Sequence, residues 1–408
     1  MATIPTGVQM DVAYAVESTN GVAAAGTATD ATYLRRVKCD LDQAKDTYES
    51  DEIIKTYQVS DMRHGMKKVS GPLNGRLAPG AYSKIVGIAL RRDFAAAGSG
   101  SGTTYAAVSG GFTDSGNGLL TSLFKVGDVI SPTGFAGTAT GNNGRYYLVS
   151  ALSTGSMGVL NMDGTTPTIT TKTAGDTVTI VAVGKKTYIP SSGHTNKAVT
   201  IEKLYGTDTP ISMVFTGNKP GTIDISLPST GLAGIDIGFT GVKRVSPLGT
   251  TAYFTSPAAA NTNGLTAAVN GAVLYNGSLI AVIQNAQIKI DGGLTTGSVV
   301  GSNVTPDVFV GKVKVSGQIS AYLQDSTLVA AFDNETELSL VLLLTVDSSS
   351  APKFVSFVLP RVKLGGAAIP DGEGGLVINC PFTALYNSNG GTGTNSEKTT
   401  IVVQDSDA

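Results

Sequence analysis

The sequence predicts a mainly β protein made of two tandem sheet-forming units. Each unit carries one flanking helix, and the first is interrupted by a small β-sandwich or barrel. Three observations predict this. Composition is the first: 51 glycines in 408 residues, aromatics at 6% and no Trp, on a Thr- and Ser-rich background, favour short strands joined by tight turns. The second is an internal echo. DMRHGMKKVSGPLNGRL (61–77) and DVFVGKVKVSGQISAYL (307–323) share Asp, Gly, Lys, Val, Ser, Gly and Leu without a gap, at an offset of 246 (307 − 61). The third is that the flanks extend the match on both sides, and a repeat takes precedence over other fold signals.

The core of the repeat is Val69, Gly71 and Leu77 in the first copy and Val315, Gly317 and Leu323 in the second. Upstream, RVKCDLD (36–42) aligns with NAQIKID (285–291). Val37, Cys39 and Leu41 alternate inward as Ala286, Ile288 and Ile290 do. Downstream, GTIDISLPSTGLAG (221–234) aligns with KFVSFVLPRVKLGG (353–366) through Leu227-Pro228 and Leu359-Pro360, and each copy closes on Phe-Thr, at Phe239-Thr240 and Phe382-Thr383. On these anchors, Gly71 to Leu227 spans 156 positions and Gly317 to Leu359 spans 42, so the first copy holds a surplus of 114 (156 − 42). The chain divides into a discontinuous first unit (1–94 and 206–245), an inserted β module (95–205), a joining stretch (246–266) and a second unit with a C-terminal arm (267–408).

In order, residues 1–30 are small and polar and read as a segment lying along a surface. YLRRVKCDLD alternates from Tyr33 and reads as a strand. Gln43 to Gly65 is long for a connection and holds the densest charge in the chain. Asp46, Glu49, Asp51 and Glu52 come first, and Lys55, Asp61, Arg63, Lys67 and Lys68 follow. It reads as a contact arm whose two charge signs meet complementary charges on a neighbouring subunit. Its echo, Gly292 to Gly311 with Val299, Val300 and Asp307, keeps the length and almost none of the charge, so the two arms have different partners.

KVSGPLNGRL resumes strand alternation. Tyr82, Ile85, Val86, Ala89 and Leu90 then fall on a helical stripe, with Pro79 suited to its start and Arg91 and Arg92 to its end. DSTLVAAFDN (325–334), with Asp325 or Ser326 as N-cap, predicts the matching second helix. The insertion opens in AAAGSGSGTT (95–104), a flexible linker by composition, and continues as alternating runs punctuated by Gly, Asn and Asp turns. TTIVVQ (399–404) reads as a late strand, with pairing on this or another subunit left open.

Several function classes are excluded. A formal charge of −2 gives no strong electrostatic grip on nucleic acid. Cys39 and Cys380 each sit in an apolar run and read as small buried side chains. The N-terminus has neither the basic region nor the apolar core of a signal peptide, and the longest apolar run, Leu338 to Val346, is too short to span a bilayer. His64 and His194 have no second ligand at metal spacing. GSGSGTT lacks the lysine of a phosphate loop, and no nucleophile elbow is present. Asp51-Glu52 has no apolar enclosure to split its pKa values. No catalytic residue, cofactor or metal is predicted, and the chain reads as a non-enzyme.

The order of features resembles the tail tube proteins of long-tailed, siphovirus-type bacteriophages. The likeness rests on VESTNGVAAAG, YLRRVKCDLDQ followed by YESDEI, and DMRHGMKKVSGPLNGRLAPGAYSKIVGIALRRDF, with VSGQISAYLQDSTLVAAFDNETELSLVLLL and FVLPRVKLGG as a second tube domain of the same kind. The resemblance implies tail-tube-type β-sandwich or barrel domains that share a closed barrel around a ring, and rings that stack into a hollow tube conducting the genome. It implies that the loop Gln43 to Gly65, with its echo Gly292 to Gly311, touches the next ring. Two domains per chain imply three chains for a pseudo-sixfold ring. The implied partners are further copies of this chain, the tape measure protein, the tail terminator and distal tail proteins, and double-stranded DNA passing through the lumen, with no membrane. The implied location is the virion tail, assembled in the host bacterial cytoplasm. A lumen that DNA crosses without sticking is expected to be neutral or acidic. The alternatives are another virion structural protein, either a capsid decoration or a head-tail connector, or a carbohydrate-binding module, which the absence of Trp disfavours.

Overall fold

Alternating apolar residues build the sheets, and the repeat is visible in how they pair. The computed structural model describes residues 6–117, 123–206, 210–280, 282–371, 373–388 and 398–408. The first unit begins with β1 (Met10–Val16), β2 (Lys38–Cys39), β3 (Asp42–Glu49) and β4 (Met62–Arg76), followed by α1 (Ser83–Ala89). An inserted module of seven strands follows: β5 (Ser99–Gly102), β6 (Tyr105–Val108), β7 (Gly111–Asp114), β8 (Val129–Thr133), β9 (Tyr147–Ser153), β10 (Ser156–Leu160) and β11 (Val178–Ala182). After β12 (Lys185–Tyr188) the first unit resumes with β13 (Val199–Tyr205), β14 (Ile211–Leu227) and β15 (Gly234–Gly241). The second unit runs β16 (Gly271–Tyr275), β17 (Ile283–Asp291), β18 (Lys314–Tyr322), α2 (Thr327–Asp333), β19 (Leu338–Thr345), β20 (Phe354–Leu364), β21 (Val377–Ala384) and β22 (Val402–Asp405).

The two units share one antiparallel strand order. The first is β1-β13-β14-β15-β4 and then β2 and β3. The second is β16-β19-β20-β21-β18-β17. Register agrees as well. Gly71 lies opposite Phe239 and Ser70 opposite Thr240, just as Gly317 lies opposite Phe382 and Ser316 opposite Thr383. Glycine is required at both centres: a Cβ on Gly71 would stand 2.4 Å from the Asp40 carbonyl oxygen, and one on Gly317 2.0 Å from that of Gln287. Both helices stop on a non-glycine residue in the left-handed region, Arg91 (φ 60°) and Glu335 (φ 50°). β14 pairs along its second half with β17, Ile223 opposite Ile290 and Ile225 opposite Ile288, so the units join into one sheet. A shared core lies on the inner face, with Leu73, Ile223, Ile235, Ile288 and Val315 buried beneath α1 and the outer strands.

The module has its own antiparallel sheet, ordered β5-β11-β8-β9-β10-β7-β6, and its own aromatic core of Tyr105, Phe112, Phe124, Phe135 and Tyr147. It is also fixed to the second unit. Val129, Leu148 and Met162 pack on Leu274, Val341, Leu343 and Phe354. Gln404 of β22 reaches into the seam, accepting from Val129 N (2.9 Å) and donating to the carbonyls of Val129 (2.9 Å) and Val183 (2.7 Å).

The structure corrects several expectations. Val37 does not point inward but is 61% exposed. Thr32–Tyr33 pairs with β1, the chain then leaves the sheet and rejoins it on β4 at Lys38, and the core beside Gly75 is filled by Tyr82, whose hydroxyl donates to Arg35 O at 2.7 Å. The Leu-Pro alignment fails. Leu227 ends β14 opposite Ala286, whereas Leu359 lies within β20 opposite Leu340. The residues that match are Lys219 and Lys363, each opposite the Thr of Phe-Thr, at an offset of 144 (363 − 219). Upstream, Cys39 faces Leu73 while Ala286 faces Ile319, so Cys39 matches Ala286 and not Ile288. A two-residue slip keeps every side chain on its face, which is why alternation alone does not detect it.

Other boundaries also move. The stretch Gln43 to Gly65 is a hairpin, with β3 and β4 paired out to Glu49 opposite Met62 and residues 50–61 forming the loop between them. The glycine-rich 95–104 holds Ala95–Ala96 and β5 as strands. Gly100 is small there because a Cβ would stand 2.4 Å from the Tyr105 hydroxyl. The insertion's separate sheet ends at Ala182, and β13 belongs to the large sheet between β1 and β14. TTIVVQ pairs within the chain, β22 lying between β20 and β12.

Candidate functional site

Over six neighbouring strands, β4, β15, the second half of β14, β17, β18 and β21, the large sheet has one apolar and one polar face, because burial alternates along each. Across six strands, Asn74, Asp236, Asp224, Lys289, Ser316 and Thr383 stand side by side in a single row. Arg76, Gly234, Ser226, Gln287, Gln318 and Pro381 form the next row. The side chains are short or polar and none is aromatic; Arg76 and Lys289 stand among Asp224 and Asp236, Asp291 faces Lys314 in the row beyond, and Lys38 and Lys363, opposite Asn74 and Thr383 at the ends of the first row, are paired with Asp40 and Glu335. Partial burial raises the Asp224 pKa, the neighbouring Asp236 and Asp291 carboxylates push the same way, and Lys289 opposes them. Such a face offers no stacking platform and no cationic stripe to hold a polyanion.

Both ends of this sheet are free in the monomer. At one end, β2 and β3 pair with β4 alone among the described strands, leaving their outer edge open. At the other, the chain beyond β20 still pairs inward, Ala368 opposite Asn379, while its outer side has no partner strand among the described residues. An open edge of this kind is a template for another strand.

The two arms differ in what they touch. The second, between β17 and β18, folds back over the first unit. Lys219, 2% exposed in its side chain, donates to Asp307 Oδ1 at 3.0 Å and to Val308 O at 2.7 Å. Arg91 donates to the carbonyls of Gly292 and Gly311, and Lys67 N donates to Asn303 O at 2.9 Å. The base of the first arm, at Asp46 and Tyr48, shares a crevice with Thr296 and Thr305 of the second, and Gln43 accepts from Arg244 N; its tip stands clear, with Ile53, Tyr57 and Val59 exposed. The helices differ in the same sense. α1 buries Ile85, Val86 and Ile88, whereas α2 buries only Ala331.

The residues expected to form the first contact arm all lie on it. Asp46 pairs with Lys68 at 2.8 Å and Asp61 with Arg63 at 2.7 Å. Glu49 ends β3, and Asp51, Glu52 and Lys55 are exposed in the tip. On the second arm, Val299 and Val300 are exposed while Asp307 is held by Lys219 inside the chain. Of the repeat motif, Val69, Leu77 and Val315 are buried and Leu323 is half-buried; Leu77 N donates to Ala233 O and Leu323 N to Leu376 O. Sequence reasoning missed Lys219 and Lys363. Their signal is a lysine standing opposite each Phe-Thr threonine, legible only once the ladders are known. Both cysteines are buried and free, and burial pushes each thiol pKa up. Among the described residues, no group of three or more His, Cys, Asp or Glu could hold a metal, and no helix is long and apolar enough to cross a membrane.

Compared with known families, the chain matches the model described as phage tail tube protein over residues 7–384. No curated protein matches it.

Proposed function

Because the chain belongs to the phage tail tube protein family, we propose that it is the ring-forming subunit of a siphovirus-type tail tube, whose stacked rings conduct the genome. The chain carries two descendants of one unit, and the polar sheet face lines the bore. The observation that carries this reading is the β14–β17 ladder. It joins unit to unit inside the chain and leaves the equivalent edges, the stretch after β20 and β2–β3, open at either end. Repeating the in-chain contact between chains closes the sheet. Taken in ladder order, β2–β3, β4, β15, β14, β17, β18, β21 and the stretch after β20 make eight strand lines per chain, so three chains give a barrel of ~24 strands, and barrels of 16–18 strands already leave an aqueous channel. The balanced charge of the polar face suits a bore that DNA crosses without being held.

Stacking of identical rings is an open-ended heterologous contact, the kind that makes filaments. The exposed tip of the first arm, Asp51 to Val59, is the element that reaches the adjacent ring. The inserted module projects outward, away from the bore. The remaining partners are the tape measure protein inside the tube and the terminator and distal tail proteins at its ends, assembled in the host cytoplasm. Helical reconstruction of tubes from purified protein tests all of this. Threefold rings with pseudo-sixfold walls and Asp224, Asp236 and Lys289 facing the bore are expected. Closed shells or capped oligomers would instead favour a capsid decoration or connector protein. A bore lined by lysine and arginine would refute the assignment of the polar face.

A further inference from the structure

The second arm's docking inside the chain is a template for a contact between chains, and the residues for that contact are already placed. In the first unit the receiving positions are Lys219, which binds Asp307, and Arg91, which binds the carbonyls of Gly292 and Gly311. Ile88 lines the same crevice as Leu294 and Val310 of the arm. In the second unit the corresponding positions are Lys363, Glu335 and Phe332. Lys363 faces Thr383 as Lys219 faces Thr240. Glu335 N donates to Phe332 O at 3.0 Å as Arg91 N donates to Ile88 O at 3.1 Å. Among the described residues, neither arm reaches these three. The side chains of Lys363 and Glu335, paired at 3.4 Å, are 40% and 83% exposed, and Phe332 is 39% exposed.

The first arm is built to fill the vacancy. Asp61 Oδ1 accepts from Met62 N at 2.8 Å, and Asp307 Oδ1 accepts from Val308 N at 2.7 Å, so the two aspartates hold the same local turn. Tyr48 faces Arg63 as Thr295 faces Phe309. Continuing the β17–β18 register one step past Asp291 opposite Lys314 puts Gly292 in the place that Lys45, opposite Lys67, holds in the first arm. Laid on α2 as the second arm lies on α1, the first arm brings Asp61 to Lys363 and Lys45 to Glu335. Each meeting is between opposite charges. The second arm has Gly292 where the first has Lys45, and there the helix end supplies Arg91 to bind carbonyls instead.

We propose that in the assembled ring Lys363 of one chain pairs with Asp61 of the next, with Glu335 facing Lys45, so that the base of the first arm seals the seam between chains while its tip stays free. This rests on the ring reading above. Charge reversal tests it, using Lys363→Asp, Asp61→Lys and the two combined in the full chain. Ring formation is read by sedimentation across a concentration series, and the fold of each variant by its denaturant midpoint. The expected result is that each single reversal raises the concentration for half-assembly at least tenfold with an unchanged midpoint, and that the combination returns it to within about threefold of the unaltered chain. Unimpaired rings from the single variants would overturn the pairing and leave the ring reading standing. A combined variant as defective as the single ones would overturn it too. If the unaltered chain forms no rings at any concentration, the ring reading fails and this pairing with it.

Discussion

Asp307 and Asp61 hold the same place in the two arms, and removing each carboxylate has opposite consequences. In Asp307→Ala the Lys219 ammonium keeps only the Val308 carbonyl while remaining almost wholly buried. Breaking a buried ion pair from one side costs about 3–5 kcal/mol. The Asp307 side chain is 32% exposed, so solvent recovers part of this and the expected loss is about 2–3 kcal/mol. With a urea m-value of about 2–3 kcal/mol/M, the midpoint of the large-sheet transition falls by about 1 M. Asp61 is paired only with Arg63, two residues away and well exposed. Asp61→Ala therefore changes monomer stability by less than about 0.5 kcal/mol, the ordinary range for a surface position, and its defect appears only in ring assembly. Urea unfolding of both variants at a concentration below assembly, followed by light scattering above it, measures the contrast. Equal destabilisation by the two substitutions would refute the idea that one arm is anchored within the chain and the other waits for a neighbour.

Three further outcomes are expected. Asp405 accepts from Gly80 N, Ser83 Oγ (2.6 Å) and Asp407 N, yet burial raises its pKa above the usual carboxylate value. The native state therefore binds this proton more tightly than the unfolded chain does. The group's contribution is fully present below about pH 3.9 and is lost as pH rises through the folded value. Asp405→Asn should flatten that decline in denaturant titrations from acid to neutral pH. Replacing Asp224 and Asp236 by Lys turns the balanced polar face cationic, so assembled tubes should retain duplex DNA at about 50 mM salt and release it at about 200 mM, where the unaltered tube binds none. Deleting residues 99–182 leaves the large sheet's ladders whole but bares Leu274, Val341 and Leu343. Tubes should form from the deletion only when polar residues replace that patch, with turbidity of the unmodified deletion as the control.

Local pattern announced much of this architecture. The two helical stripes, the echo around Gly71 and Gly317 and the Phe-Thr closures were legible because each is set by contacts of short range or by a side chain that cannot fit. Equivalences across strands were not. Leu227-Pro228 and Leu359-Pro360 look alike, yet one ends a strand and the other lies next to a bulge, and nothing local to either dipeptide encodes which strand it faces. The charged hairpin read as loop because both faces of β3 are solvated along most of its length, which erases the apolar alternation that reveals a strand. The lysines at 219 and 363 were invisible for a related reason. One is buried by an arm from the other unit and one is open to solvent, so exposure at equivalent positions diverges although the surrounding ladder is the same.

The ladder between β14 and β17 also bears on how the particle responds to dilution. A seam whose two sides share one polypeptide forms at an effective concentration in the millimolar range, fixed by the tether and indifferent to the amount of protein present. Seams between molecules have no such tether and follow mass action. In the proposed three-chain ring only half of the six seams would therefore be subject to loss on dilution, and it would appear with the third power of chain concentration where one built from six separate units would need the sixth. It comes apart into whole chains, never into single units.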